Sequence, residues 1–97
     1  MVIIAWSAIA AFYQEYPDAK NALENWYDIT DEANWSNIND VKKTFNSADY
    51  IGNDRIVFNI KGNKYRLVAL TIFRTRTIFI RFIGTHSAYD KIDVKNI

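Results

Sequence analysis

Two periodicities divide the chain. Up to about residue 50, apolar residues recur at helical spacing; beyond it they recur at every second position or in short continuous runs. Val2-Ile3-Ile4-Ala5 does not alternate and predicts a short buried strand. Ser7 is placed to cap a helix reaching about Tyr16, with Ile9, Phe12, Tyr13 and Tyr16 near helical spacing. Pro17 breaks that helix and suits the first turn of the next, where its missing N–H costs nothing. The second helix is expected to reach about Ala33. Ala19, Ala22, Leu23, Trp26, Ile29 and Ala33 form its apolar stripe, and Asp18, Glu24, Asp28, Asp31 and Glu32 its acidic face. Ser36 or Asn39 is read as the start of a short helix through Val41 to Phe45, and Ser47–Tyr50 as a turn or edge segment.

The second half reads as strands. Arg55–Ile60 is one, and Lys61-Gly62-Asn63 is a tight turn in which Gly62 and Asn63 can take positive φ. Lys64–Phe73 and Arg76–Ile83 are longer, rich in β-branched and aromatic residues, with a turn near Arg74-Thr75. Three runs joined by hairpins make an antiparallel meander, at whose edge the N-terminal strand can pair. Helices first and strands later predict an α+β two-layer domain over residues 1–97, a helical hairpin on an antiparallel sheet, ending in a short helix after residue 86.

Charge sharpens this picture. The net charge is only +1, but it is split along the chain. Residues 1–54 hold three basic and nine acidic residues; residues 55–97 hold nine basic and two acidic ones. Most of the negative charge belongs to the outside of the helical hairpin, and the sheet half is cationic, as a polyanion-binding face requires. No cysteine is present, which excludes disulfides and thiolate metal sites. No run approaches the length of a membrane span, and the N-terminal apolar run is too short for a signal peptide, so a soluble cytoplasmic protein is expected.

Candidate chemistry gathers in Thr85-His86-Ser87-Ala88-Tyr89-Asp90-Lys91. It contains the sole histidine of 97 residues, with a phenol, a carboxylate and an ammonium close behind. Imidazole exchanges protons near neutral pH, and Tyr89, three residues on, shares its helical face. Asp90 has two readings: a partner in proton transfer, or the third helical residue of a capping box begun by Ser87. His86, Asp90 and Asp93 have the spacing of a metal face, but one histidine without further ligands argues against a metal. On the strands, alternation puts Lys64, Arg66, Val68 and Leu70 on one face and Tyr65, Leu67 and Ala69 on the other. If the apolar face meets the helices, Lys64 and Arg66 emerge together on the open face. Arg66 is then either a phosphate ligand or an ion-pair partner of Asp54 or Asp90. Phe58, Tyr65, Phe73, Phe79 and Phe82 are read as mostly core, although aromatics amid cations also suit stacking on single-stranded RNA.

Two segments carry a resemblance. Val57-Phe58-Asn59-Ile60-Lys61-Gly62-Asn63-Lys64-Tyr65-Arg66-Leu67-Val68, together with Ile80-Arg81-Phe82-Ile83-Gly84-Thr85-His86-Ser87-Ala88-Tyr89-Asp90-Lys91-Ile92-Asp93, resembles the HigB family of type II toxins, within the RelE superfamily. The likeness extends to Tyr16-Pro17-Asp18-Ala19, Trp26-Tyr27 and Phe45-Asn46-Ser47-Ala48. It implies a metal- and cofactor-independent endoribonuclease that cuts mRNA, usually on the ribosome, by attack of the 2′-hydroxyl on the adjacent phosphate. By match of motif, Arg66 is the transition-state arginine. His86 and Tyr89 stand at the acid–base positions, with Asp90 and Lys91 next in line. Lys61, Lys64, Arg81 and Lys91 are the implied RNA-backbone contacts. The implied partner is a HigA-type helix-turn-helix antitoxin, which binds operator DNA; this chain would reach DNA only through it. Where that family usually carries basic residues on its first helix, Ala5–Ala11 carries none, and Trp6, Ile9 and Phe12 are candidates for an antitoxin interface. The rival reading is a non-catalytic module on the same fold that binds RNA or antitoxin.

Overall fold

The computed structural model describes all 97 residues. The elements are β1 (Val2–Ile4), α1 (Trp6–Glu15), α2 (Lys20–Glu32), α3 (Ile38–Thr44), β2 (Asp49–Gly52), β3 (Arg55–Ile60), β4 (Tyr65–Ile72), β5 (Thr77–Thr85) and α4 (His86–Tyr89). Single 3₁₀ turns, Pro17–Ala19 and Phe73–Thr75, join α1 to α2 and β4 to β5. The sheet order is β1-β5-β4-β3-β2; β1 runs parallel to β5 and every other pair is antiparallel. The α+β expectation holds, including the meander and the pairing of β1 at its edge.

The apolar face of the sheet meets the helical hairpin. Ile56, Phe58 and Ile60 of β3 and Tyr65, Leu67 and Ala69 of β4 pack with Ile9 of α1 and Leu23 and Trp26 of α2. Trp26 meets Phe58 edge-on at 5.3 Å between centroids, and Phe12 meets Tyr65 at 5.4 Å. Such edge-to-face pairs add to the burial of aromatic area.

Several expectations are corrected here. β1 is not buried: Val2 and Ile4 are exposed, because an edge strand three residues long has only one face against the protein. Ser7 lies inside α1, whose N-cap is Ala5 without a side-chain bond. In α2 Thr30 is buried while Ile29 is 37% exposed, so the apolar stripe slips by one residue at its C-terminal end. Asn37, rather than Ser36 or Asn39, caps α3 by accepting from the Asp40 amide. Lys61 and Gly62 take the positive φ of the β3–β4 turn, and Asn63 does not. Ile9 is fully buried and Trp6 packs on Tyr27 at 4.6 Å, which removes Ile9 from any interface.

The register of β5 contains the feature that builds the site. Val68 pairs with Phe82, but Ala69 pairs with Ile80, so Arg81 is an extra residue opposite no partner. A bulge of this kind reverses the facing of the residues beyond it. Ile78 and Ile80 therefore face the helices, whereas Phe82 and Gly84 face the other side. That second face is not left open along its length. Residues 90–97 return over it to the β2–β3 turn, where Arg55 Nε donates to the Ile97 oxygen at 3.1 Å and Asn53 Nδ2 to the Lys95 carbonyl at 3.1 Å. Val57 and Val68, which point away from the helices, are buried as well. No helix is long and apolar enough to cross a membrane.

Candidate functional site

The site begins with a strand pairing. Arg66 on β4 pairs with Asn59 of β3 on one side and Gly84 of β5 on the other, and its side chain lies on the face away from the hairpin. One residue after Gly84, at Thr85, the sheet ends, and α4 starts at His86. Thr85 caps α4 by accepting from the Ala88 amide at 3.1 Å. This corrects the expected box: Ser87 is within the helix, and Asp90 is its C-terminal cap rather than its third residue. Thr85 wins because the sheet pairing ends there, leaving its hydroxyl over the first free amides.

With α4 started at His86, Tyr89 turns back over the sheet. The Arg66 guanidinium carbon sits 4.6 Å from the centre of the Tyr89 ring, a cation–π stack. Tyr89 is supported by Phe82, with centroids 6.2 Å apart. Phe82 in turn lies across Gly84, where a Cβ would come within 2.5 Å of its Cζ. Glycine is required here for close approach. The order of stacking from the floor up is thus Gly84, Phe82, Tyr89, Arg66.

Arg66 pairs with neither Asp54 nor Asp90. It is partly buried, and Nε, wholly shielded, has no acceptor. Other cations are already engaged. Arg55 binds the Asn53 and Ile97 carbonyl oxygens, and Arg76 binds Asn34, Ser36 and the Phe73 carbonyl. A half-buried guanidinium without an anion is costly in isolation. A bound phosphate would remove that cost through charge-assisted hydrogen bonds.

His86 Nδ1 lies 3.5 Å from Asp90 Oδ2, one helical turn on. The imidazole is 42% exposed, and Nε2 has no protein partner. A carboxylate beside Nδ1 favours the tautomer with its proton there and leaves the Nε2 lone pair free. Asp93 does not complete a group of three metal-ligating side chains with them. Lys91 follows α4 and is exposed. Arg81, the bulge residue, is exposed too, with its guanidinium 5.7 Å from the Phe79 ring centre.

Lys61 and Lys64 lie elsewhere than expected. Lys64 precedes β4 and does not emerge beside Arg66; with Lys61 it is drawn toward the helical layer by Asp18. Lys64 Nζ donates to Asp18 Oδ2, Lys61 Nζ is 3.5 Å from the same oxygen, and the Tyr65 hydroxyl donates to Oδ1. The Lys64 and Tyr65 hydrogen bonds hold the Asp18 carboxyl at about 2, below the ordinary 3.8. The same hydrogen bonds raise Lys64 and Tyr65 above their usual values. Periodicity carries no sign of this cluster, in which Lys61, Lys64 and Tyr65 lie 43 to 47 residues from Asp18. The aromatic floor is equally hidden from it: Phe82 is at the site and not in the core, because of the bulge.

Comparison with known proteins bears on this geometry. Residues 19–92 match the family model described as HigB toxin, the RelE-like toxic component of a toxin-antitoxin system. The chain is similar to the mRNA interferase HigB of Escherichia coli O6:H1 strain CFT073, 27% identical over 94 residues, 95% of this chain and 91% of the relative. It is similar to the mRNA interferase toxin HigB of Escherichia coli K12 and the mRNA interferase HigB of Shigella flexneri, each 29% identical over 93% of this chain and 88% of the relative. The matched span holds both strands of the Arg66 pairing and all of α4, and the chain belongs to the HigB toxin family of RelE-like toxic components of toxin-antitoxin systems.

Proposed function

We propose that this chain, as a single toxin domain over residues 1–97, is an endoribonuclease that cleaves mRNA in the cytoplasm, on the ribosome, and is held inactive by a HigA-type helix-turn-helix antitoxin. Operator DNA is reached only through that antitoxin. The observation that carries the reading is Arg66: a half-buried guanidinium, stacked on Tyr89, with no acceptor in the protein.

The reaction needs little beyond these groups. A base removes the proton of the 2′-hydroxyl, and O2′ bonds to the adjacent phosphorus. The bond from phosphorus to O5′ breaks, and the departing oxygen takes a proton. The products are a 2′,3′-cyclic phosphate and a 5′-hydroxyl. Charge rises on the non-bridging oxygens as the fifth bond forms, and Arg66 answers it. Tyr89 fixes the guanidinium plane, so little ordering is left for the transition state. His86 transfers a proton through Nε2, and Asp90 positions it from Nδ1. Arg81 and Lys91, exposed and without protein acceptors, contact the RNA backbone.

The test is purified protein on translating ribosomes, reading cyclic-phosphate ends. His86→Ala and Arg66→Ala should each lower cleavage by about 10²- to 10⁴-fold without unfolding the chain. Cleavage at the wild-type rate in either variant sinks the assignment. Ribosome binding with no cleavage by the wild type would favour the binding-only alternative.

A further inference from the structure

Asp18 joins the acidic and basic halves of the chain. It belongs to the turn before α2; its partners Lys61 and Lys64 come from the β3–β4 turn and Tyr65 from the first position of β4. Tyr65 is 2% exposed, so its hydroxyl requires an acceptor. A neutral acceptor would satisfy that hydroxyl. The negative charge exceeds the requirement, and it draws two ammonium groups onto one oxygen.

Those ammonium groups stand at the end of the sheet that carries the site. Lys64 precedes Tyr65, which pairs with Thr85, and Arg66 pairs with Gly84; His86 is the next residue along. The Lys61 and Lys64 side chains are 45% and 57% exposed and that of Asp18 is 36% exposed. Ion pairs this wet exchange readily with another anion. The acidic group is ionised throughout the neutral range, its carboxyl held at about 2.

We propose that Asp18 is an intramolecular competitor of the RNA phosphate backbone. It occupies Lys61 and Lys64 and so sets how tightly, and up to what salt concentration, the protein holds a single-stranded RNA. The inference rests on the ribonuclease reading above. It makes Asp18 a residue that limits affinity, while Arg66 and His86 act on the reacting atoms.

The probe is a fully 2′-O-methylated oligoribonucleotide, which lacks the attacking hydroxyl and stays intact. Binding is followed by fluorescence anisotropy over a salt series. Asp18→Asn removes the charge and keeps an acceptor for Tyr65; Asp18→Ser removes it by a second route should the first variant melt early. Either should bind about three- to tenfold tighter near 0.1 M salt. The slope of log K against log salt should steepen by about 0.7 for each lysine released. Removing Lys61 and Lys64 together should then cost more affinity in the Asp18→Asn background than in the native one.

Three results overturn the proposal. The Asp18 variants bind as the wild type does; their gain persists after both lysines are removed, which is the signature of net charge alone; or the lysine pair costs the same in both backgrounds. If wild type and variants all fail to bind the RNA, the Asp18 proposal falls, while the ribonuclease reading is decided separately by cleavage on ribosomes. If the wild type binds and cleaves on the ribosome while the Asp18 variants are silent, only the Asp18 assignment falls.

Discussion

Gly84→Ala tests whether the site is built from the floor upward. The added Cβ would lie 2.5 Å from Phe82 Cζ and 3.1 Å from both of its Cε atoms. Carbon atoms rest about 3.5–4.0 Å apart, so the ring must move by roughly 1 Å. Phe82 is only partly buried and turns about two bonds, so the ring yields before the strand does. The cost in stability should then sit at the low end of overpacking, about 1 kcal/mol. For a chain of this size that lowers Tm by about 4–8 °C. The cost in chemistry should be greater. Phe82 supports Tyr89 at 6.2 Å, and Tyr89 holds Arg66 at 4.6 Å. A displacement of about 1 Å passed along that stack is worth about 10²-fold in rate. Circular-dichroism melting gives the first quantity and single-turnover cleavage on ribosomes the second. In a Phe82→Ala background the clash is gone, so Gly84→Ala should cost nothing further in Tm. Gly84→Ala cleaving at the wild-type rate, or destabilising equally with and without Phe82, would refute the relay.

The same geometry predicts two further outcomes. Thr85→Ala removes the cap of a four-residue helix and should cost about 0.5–2 kcal/mol; because α4 carries His86 and Tyr89, cleavage should fall more than melting suggests, and Thr85→Ser should restore both. The Asp18 carboxyl titrates at about 2 in the folded protein against 3.8 ordinarily, so the folded state binds that proton less readily. Its contribution to stability is complete above about pH 4 and is lost as pH falls towards 2. Asp18→Asn should flatten the acid limb of a stability–pH curve over that window, and an unchanged limb would contradict the pairing. Lys64 and Tyr65 have raised values, so their contribution is complete below their ordinary pKa values and declines as pH climbs through the raised ones.

Local pattern locates most of the elements and half of the site. β3 runs from Arg55 to Ile60 as expected, because a short β-branched and aromatic run stands between turns that end it cleanly. Pro17 opens the turn into α2, since its ring admits little else. Arg66 and His86 are legible as residue types in a cationic half, but the stacking of Arg66 on Tyr89 of the His86 helix is not: it needs the pairing of Arg66 with Gly84, 18 residues on. Caps are hard to place where hydroxyls or amides compete within two residues, as Ser87 does with Thr85, because the end of the sheet decides between them. Lys61 and Lys64 look like free cations in the sequence because their partner, Asp18, lies more than 40 residues before them. Phe82 looks like core because a strict period of two cannot register one extra residue at Arg81.

That extra residue divides the duties of β5. Before it, Ile78 and Ile80 are answerable to folding; after it, Phe82 and Gly84 are answerable to the proposed site, while Ile83 keeps the older allegiance. Tolerance to substitution should therefore change phase within one strand. Even-numbered positions up to 80 would be purged for loss of soluble protein, and those beyond would be purged only where the toxin must work. A lineage relieved of the need to poison its host could rewrite positions 82 and 84 more readily than Ile78, Ile80 or Ile83 and still keep a foldable protein.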